Sequence, residues 1–80
     1  MITKILISER DVGYLKKRWL EKQFQKAKAY ILAGLYENAS LKIREPKSDN
    51  VWYFRINKQY RAICDREWDT LYIIAIDDHS

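Results

Sequence analysis

The chain has 80 residues, of which 48% are hydrophobic and 14% aromatic. That composition excludes a disordered tail and predicts one domain, although a chain this short buries only about 60% of its unfolded surface. Fifteen Lys/Arg against eleven Asp/Glu give a net charge of +4 and a pI near 9.3, a balance compatible with nucleic acid or an acidic protein partner.

One Pro and two Gly leave no linker, low-complexity stretch or repeat. No apolar run approaches the roughly 20 residues of a membrane span. The opening MITKILISERD has only a short apolar run that ends in charges, so no signal peptide is expected. The lone cysteine, Cys64, can form no internal disulfide and reads as a small buried hydrophobe. A cytoplasmic module with no membrane contact is the expectation.

Residues 2–7, ITKILI, read as a short strand. Ser8 opens SERD, a capping-box pattern with Asp11 three residues on. In the helical stretch that follows, Val12, Leu15 and Trp19 share one face. Leu20, Phe24, Ala27, Ile31 and Leu35 share another, rotated by roughly 100° on a 3.6-residue period. One straight helix does not need two stripes, so the pattern predicts a break near 18–20. Arg18, Lys22 and Lys26 form a basic ridge, most simply a solvated face. Gly34 suits a helix end.

Beyond a loop at 37–40 the period becomes two. LKIRE (41–45) alternates, Pro46 interrupts, and KSDN makes a turn. VWYFRI (51–56) and YRAIC (60–64) read as a strand and its return. After a turn at 66–69, TLYIIAI (70–76) is apolar on both faces and predicts a strand covered on both sides. The fold class expected is α+β, a small and mostly antiparallel sheet of about four strands packed on two N-terminal helices.

A three-residue loop at Asn57–Lys58–Gln59 places Arg55 opposite Arg61. Opposed like charges destabilise a sheet, whereas two guanidinium groups grip phosphate oxygens well. A two-residue loop shifts the register and leaves the arginines to Asp49, Asp65 and Glu67; spacing leaves both readings open. His79, the only histidine, follows odd positions Leu71, Ile73, Ala75 and Asp77, and shares their face if the strand continues. An imidazole donates or accepts a proton near neutral pH. A frayed terminal residue is the plainer reading. One His and one Cys do not make the usual zinc sites, and no metal or other cofactor is expected.

The EP pair and turn, then WYFRINKQYRAI, then LYIIAIDDHS, resemble the RelE/ParE superfamily of toxins from toxin–antitoxin systems, nearest the YoeB- and HigB-like ribonucleases. The likeness covers residues 41–79. It implies a small sheet on two helices and a metal-free endoribonuclease that cleaves mRNA, typically on the ribosome. Carried over by position, Arg61 matches the central catalytic arginine, His79 the C-terminal histidine and Glu45 the carboxylate of the EP pair. Arg55 matches a phosphate-contacting basic position, with Lys47 and Lys58 as further substrate-binding cations. Those toxins carry a tyrosine beside the histidine; here the neighbours are Asp78 and Ser80, and Tyr53 or Tyr72 could stand in for it in space. The partners implied are a cognate antitoxin, mRNA and the ribosome, with operator DNA reached only through the antitoxin. The ParE-like branch, which acts on DNA gyrase without this constellation, is the rival reading. A family member that only binds its antitoxin is the third.

Overall fold

The chain folds in the order β1 (Lys4–Leu6), α1 (Glu9–Lys17), α2 (Glu21–Leu32), β2 (Lys42–Ile43), β3 (Val51–Arg55), β4 (Tyr60–Glu67) and β5 (Thr70–Asp78). Short 3₁₀ turns lie at Tyr36–Ala39 and Lys47–Asp49. The structure, a computed structural model, describes residues 1–79.

Helix α1 starts where the capping pattern places it. The Ser8 Oγ accepts from the Asp11 N–H at 3.2 Å, which satisfies one of the orphan donors of the first turn. The reciprocal arm of the box is absent among the described residues. The Asp11 carboxylate is buried, with Oδ1 3.5 Å from the Arg10 Nε and Oδ2 without a hydrogen bond.

The expected break between helices is real and has a defined geometry. The Leu20 N–H donates to the Leu15 carbonyl at 2.9 Å and the Trp19 N–H to that of Lys16 at 3.2 Å. Trp19 takes a φ of +60°. This is a Schellman ending, in which the residue after the cap is left-handed and its two flanking apolar residues meet. Leu15 and Leu20 are both buried. Leu15 of the first stripe and Leu20, Phe24, Ala27 and Ile31 of the second are thereby brought onto one core, whereas Trp19 and Leu35, expected on those stripes, are exposed. Gly34 ends α2 in the same way, with a φ of +81°.

The sheet has five strands in the order β1-β5-β4-β3-β2. It is mixed, because β1 runs parallel to β5 through Lys4↔Thr70, Ile5↔Leu71 and Leu6↔Tyr72. Five strands stand where about four were expected; the sheet is mostly antiparallel as expected, three of its four pairings being so, and the β1–β5 pair is the exception. A parallel partner 66 residues away leaves no local signature, since its crossover is the whole intervening domain. The 41–45 strand shrinks to Lys42–Ile43, because Ser40 (φ +53°) turns the chain before it and Pro46, which has no N–H to donate, follows it.

Helical residues Leu15, Leu20, Phe24, Ala27 and Ile31 pack on Phe54, Ile56, Ala62, Cys64, Leu71 and Ile73 in one core. The Phe24 and Phe54 rings lie 6.1 Å apart. The other face of the sheet is open. Tyr72 and Ile74 are 38% and 45% exposed, so β5 lies inside the sheet but is covered on one side only. Its doubly apolar sequence does not mean double burial.

Candidate functional site

The β3–β4 turn is built by Asn57. Its Oδ1 accepts from the N–H groups of Gln59 and Tyr60, both at 2.8 Å, an Asx-type closure. Its Nδ2 donates to the Gln23 Oε1 on α2 at 2.9 Å. The loop therefore holds Asn57, Lys58 and Gln59, and Arg55 pairs directly with Arg61. Of the two registers left open by spacing, the opposed-arginine one is present.

Strand β5 then decides what faces those arginines. Cys64 pairs with Ile73 but Ile63 pairs with Ala75, so Ile74 is an extra, bulged residue. A bulge shifts every later side chain to the opposite face. Leu71 and Ile73 point into the core, whereas Ala75 and Asp77 sit beside the open-face residues Ile63 and Arg61. The continuous odd-numbered face expected from Leu71 to His79 is thus broken at Ile74. The Arg10 Nη2 donates to the Ile74 carbonyl at 3.4 Å, tying the bulge to α1.

The result is a row across three strands, Arg55, Arg61 and Asp77. His79 continues the ladder beyond it, its N–H donating to the Gln59 carbonyl at 2.7 Å. It is therefore held and not frayed, and its strand position is diagonal to Arg61, a spacing of about 7–8 Å. The Arg61 guanidinium lies 5.2 Å from the centre of the Tyr53 ring, within cation–π reach. The Arg55 Nη1 donates to the Lys58 carbonyl at 3.4 Å, which draws Lys58 to the same end.

No carboxylate comes within ion-pair distance of Arg55 or Arg61 among the described residues; the single pair is Arg10–Asp11. The Arg61 Nε is shielded and unpaired. Two arginines at paired strand positions, one head reaching the Lys58 carbonyl and the other the Tyr53 ring, have no counter-ion among the described residues and offer an anion with several oxygens two cationic partners. Among the described residues no three His, Cys, Asp or Glu side chains gather as metal ligands.

Glu45 and Lys47 lie elsewhere. The Arg44 N–H bonds the Val51 carbonyl, so Glu45 leaves the sheet at the Val51 end. Val51 pairs with Asp65, while Arg55 pairs with Arg61. That offset is four strand residues, about 13 Å at the usual rise, with two strand spacings across. Neither Glu45 nor Lys47 joins the arginine row. Asp77 does, and Tyr53, one row away, meets it through the Arg61 guanidinium; sequence reasoning missed the place of Asp77 because it depends on the bulge. Tyr72 lies two rows away, paired with Asp65.

A scan against protein-family models finds no match for this chain, and a search of curated proteins finds none either.

Proposed function

We propose that this chain is the toxin of a toxin–antitoxin system, a metal-free endoribonuclease that cleaves mRNA on the ribosome and so blocks translation in the cytoplasm. The observation that carries the reading is the Arg55–Arg61–Asp77 row with His79 diagonal to Arg61. In its support, two cations and a carboxylate occupy neighbouring strand positions on the open face, and the backbone of His79 continues the ladder beside them.

In the reaction, the ribose 2′-oxygen attacks the adjacent phosphorus and the bond to the 5′-oxygen breaks. The products are a 2′,3′-cyclic phosphate and a free 5′-hydroxyl. Arg55 and Arg61 hold the non-bridging oxygens, where charge grows in the transition state. His79 donates a proton to the departing 5′-oxygen, and Asp77, the carboxylate in the row, accepts the 2′ proton. Proton transfer of this kind contributes about 10²–10⁴-fold. Glu45 is left no part in it. Positioning by the ribosome supplements a site with so few groups. The antitoxin is expected to be an acidic segment that folds over the basic helices or the arginine face.

The test is induction in a bacterial host with primer-extension mapping of transcripts, comparing wild type with Arg61→Ala and His79→Ala. Growth arrest with discrete mRNA cuts, both lost in the variants, supports the reading. Variants as toxic as wild type overturn it. A DNA-damage response without cuts replaces it with gyrase inhibition, and no growth defect replaces it with antitoxin binding alone.

A further inference from the structure

Trp19 is 90% exposed and holds a φ of +60°. It occupies the left-handed position of the Schellman ending, where glycine is the usual residue and asparagine the next. Neither packing nor backbone conformation accounts for an indole there. The side chain buries almost nothing, and the backbone is better served by a residue with no Cβ.

Its surroundings carry positive charge. Lys16, Lys17 and Arg18 precede it, and Lys22 follows on the first turn of α2. Arg18 is already stacked, its Cζ 3.5 Å from the Tyr14 ring centre. Tyr14 in turn meets the Tyr60 ring edge-on at 6.2 Å, and Tyr60 pairs with Asp78, next to His79. The tryptophan thus stands at the same end of the molecule as the arginine row, on the helix side of the sheet while the row lies on the open face.

Trp68 supplies a contrast within the molecule. It too is left-handed, at φ +56°, and is 93% exposed. Its chain neighbours are Glu67 and Asp69, and the Arg66 Nε donates to its carbonyl at 2.8 Å, so it lacks the run of cations that flanks Trp19.

We infer that Trp19 is a base-stacking contact for single-stranded RNA, with Lys16, Lys17, Arg18 and Lys22 holding the phosphates on either side of the stacked base. An aromatic ring set among cations is the arrangement by which proteins track single strands without reading sequence. Placing it a few nucleotides from the scissile phosphate makes it the second grip on the substrate; that last step rests on the nuclease reading, whereas the stacking itself does not.

The full chain is titrated with a single-stranded RNA whose riboses are 2′-O-methylated, so that no cleavage can occur, and binding is followed by tryptophan fluorescence and by anisotropy of a labelled strand. Trp19→Gly and Trp19→Asn, both suited to a left-handed residue, keep the wild-type melting temperature or raise it. Each weakens binding about tenfold, within the range for loss of one stacked base. Trp19→Phe recovers part of the affinity, and Trp68→Ala binds as wild type. The inference is overturned if Trp19→Gly and Trp19→Asn bind as tightly as wild type. It is equally overturned if Trp19 emission shifts on anionic phosphatidylglycerol vesicles but not on RNA, which makes the turn a membrane contact. Absence of mRNA cuts on induction in the host, with the Trp19 effect on binding intact, overturns the nuclease reading and leaves the stacking site standing.

Discussion

Arg61 stands directly across the ladder from Asp77, and it does so because Ile74 is bulged. With the same residues and no bulge, the register that pairs Cys64 with Ile73 would set Ile76 against Arg61. Deleting Ile74 should instead give a regular ladder that keeps Ala75 opposite Ile63, Ile76 opposite Ala62 and Asp77 opposite Arg61. Cleavage by the deletion variant is therefore expected to stay within about tenfold of wild type, short of the roughly 10²–10⁴-fold loss of acid–base help. A larger loss with unfolding still cooperative would show that the local twist of the bulge, and not the pairing alone, builds the site.

Arg55 opposite Arg61 is a local cost that function explains. Arg55→Glu converts a like-charge pair into an attractive one and should stabilise the fold by about 0.2–1 kcal/mol in thermal or urea denaturation. The same change should weaken RNA binding and cleavage. A variant both more stable and fully active would mean that the opposed arginines hold no phosphate.

His79 should be required for cleavage. In single-turnover cleavage, His79→Ala is expected to be slower by about 10²–10⁴-fold, the range for loss of a proton donor. Circular dichroism should be unchanged, since the backbone bond from residue 79 to Gln59 does not use the side chain.

Cys64 sits fully buried in β4. Burial, helped by the charge of Asp65, pushes its thiol up from 9.0 to about 12. A raised value means the folded state resists ionisation. The resulting stability is whole below pH 9.0 and is lost as the pH climbs toward 12. Cys64→Val should flatten that part of the stability–pH curve. In the native wild type, thiol reagents should react only at the rate of opening.

Asp69 ties the β4–β5 turn to the N-terminal strand. Its carboxylate accepts from the Thr3 hydroxyl and from the Thr70 hydroxyl, and these bonds hold its pKa below the ordinary 3.8. A lowered value favours the folded state above pH 3.8, and the benefit disappears as pH falls through the depressed value. Thr3→Val removes the larger of the two contributions. Chemical denaturation across acid pH should then show a shallower loss of stability than wild type, with β1 the first strand to lose amide protection.

The parts of the fold legible in the sequence are those governed by near neighbours. The Ser8 cap, the break at 18–20, the Gly34 ending and the Asn57–Gln59 loop all depend on residues within about one turn of each other. So did the opposition of Arg55 and Arg61, once the loop length was settled. The burial of Cys64 followed from its apolar setting.

The site is a different matter. The cations and the imidazole could be named from their types and spacing, but not their company. Asp77 enters the sequence reading only as a position on the face of His79, and Glu45 only through the resemblance carried by its EP pair. The bulge at Ile74 brought the first into the row, and the length of β3 kept the second out of it.

The amino-acid order alone determined which segments are helical or extended and where the turns fall, because those choices are made by backbone sterics and local hydrogen bonds. Only the tertiary structure decided which side chains share a face. One extra residue in a ladder reverses the alternation of everything after it, and a parallel partner for β1 comes from the far end of the chain. Both are properties of pairing between distant strands, which no short stretch of sequence encodes.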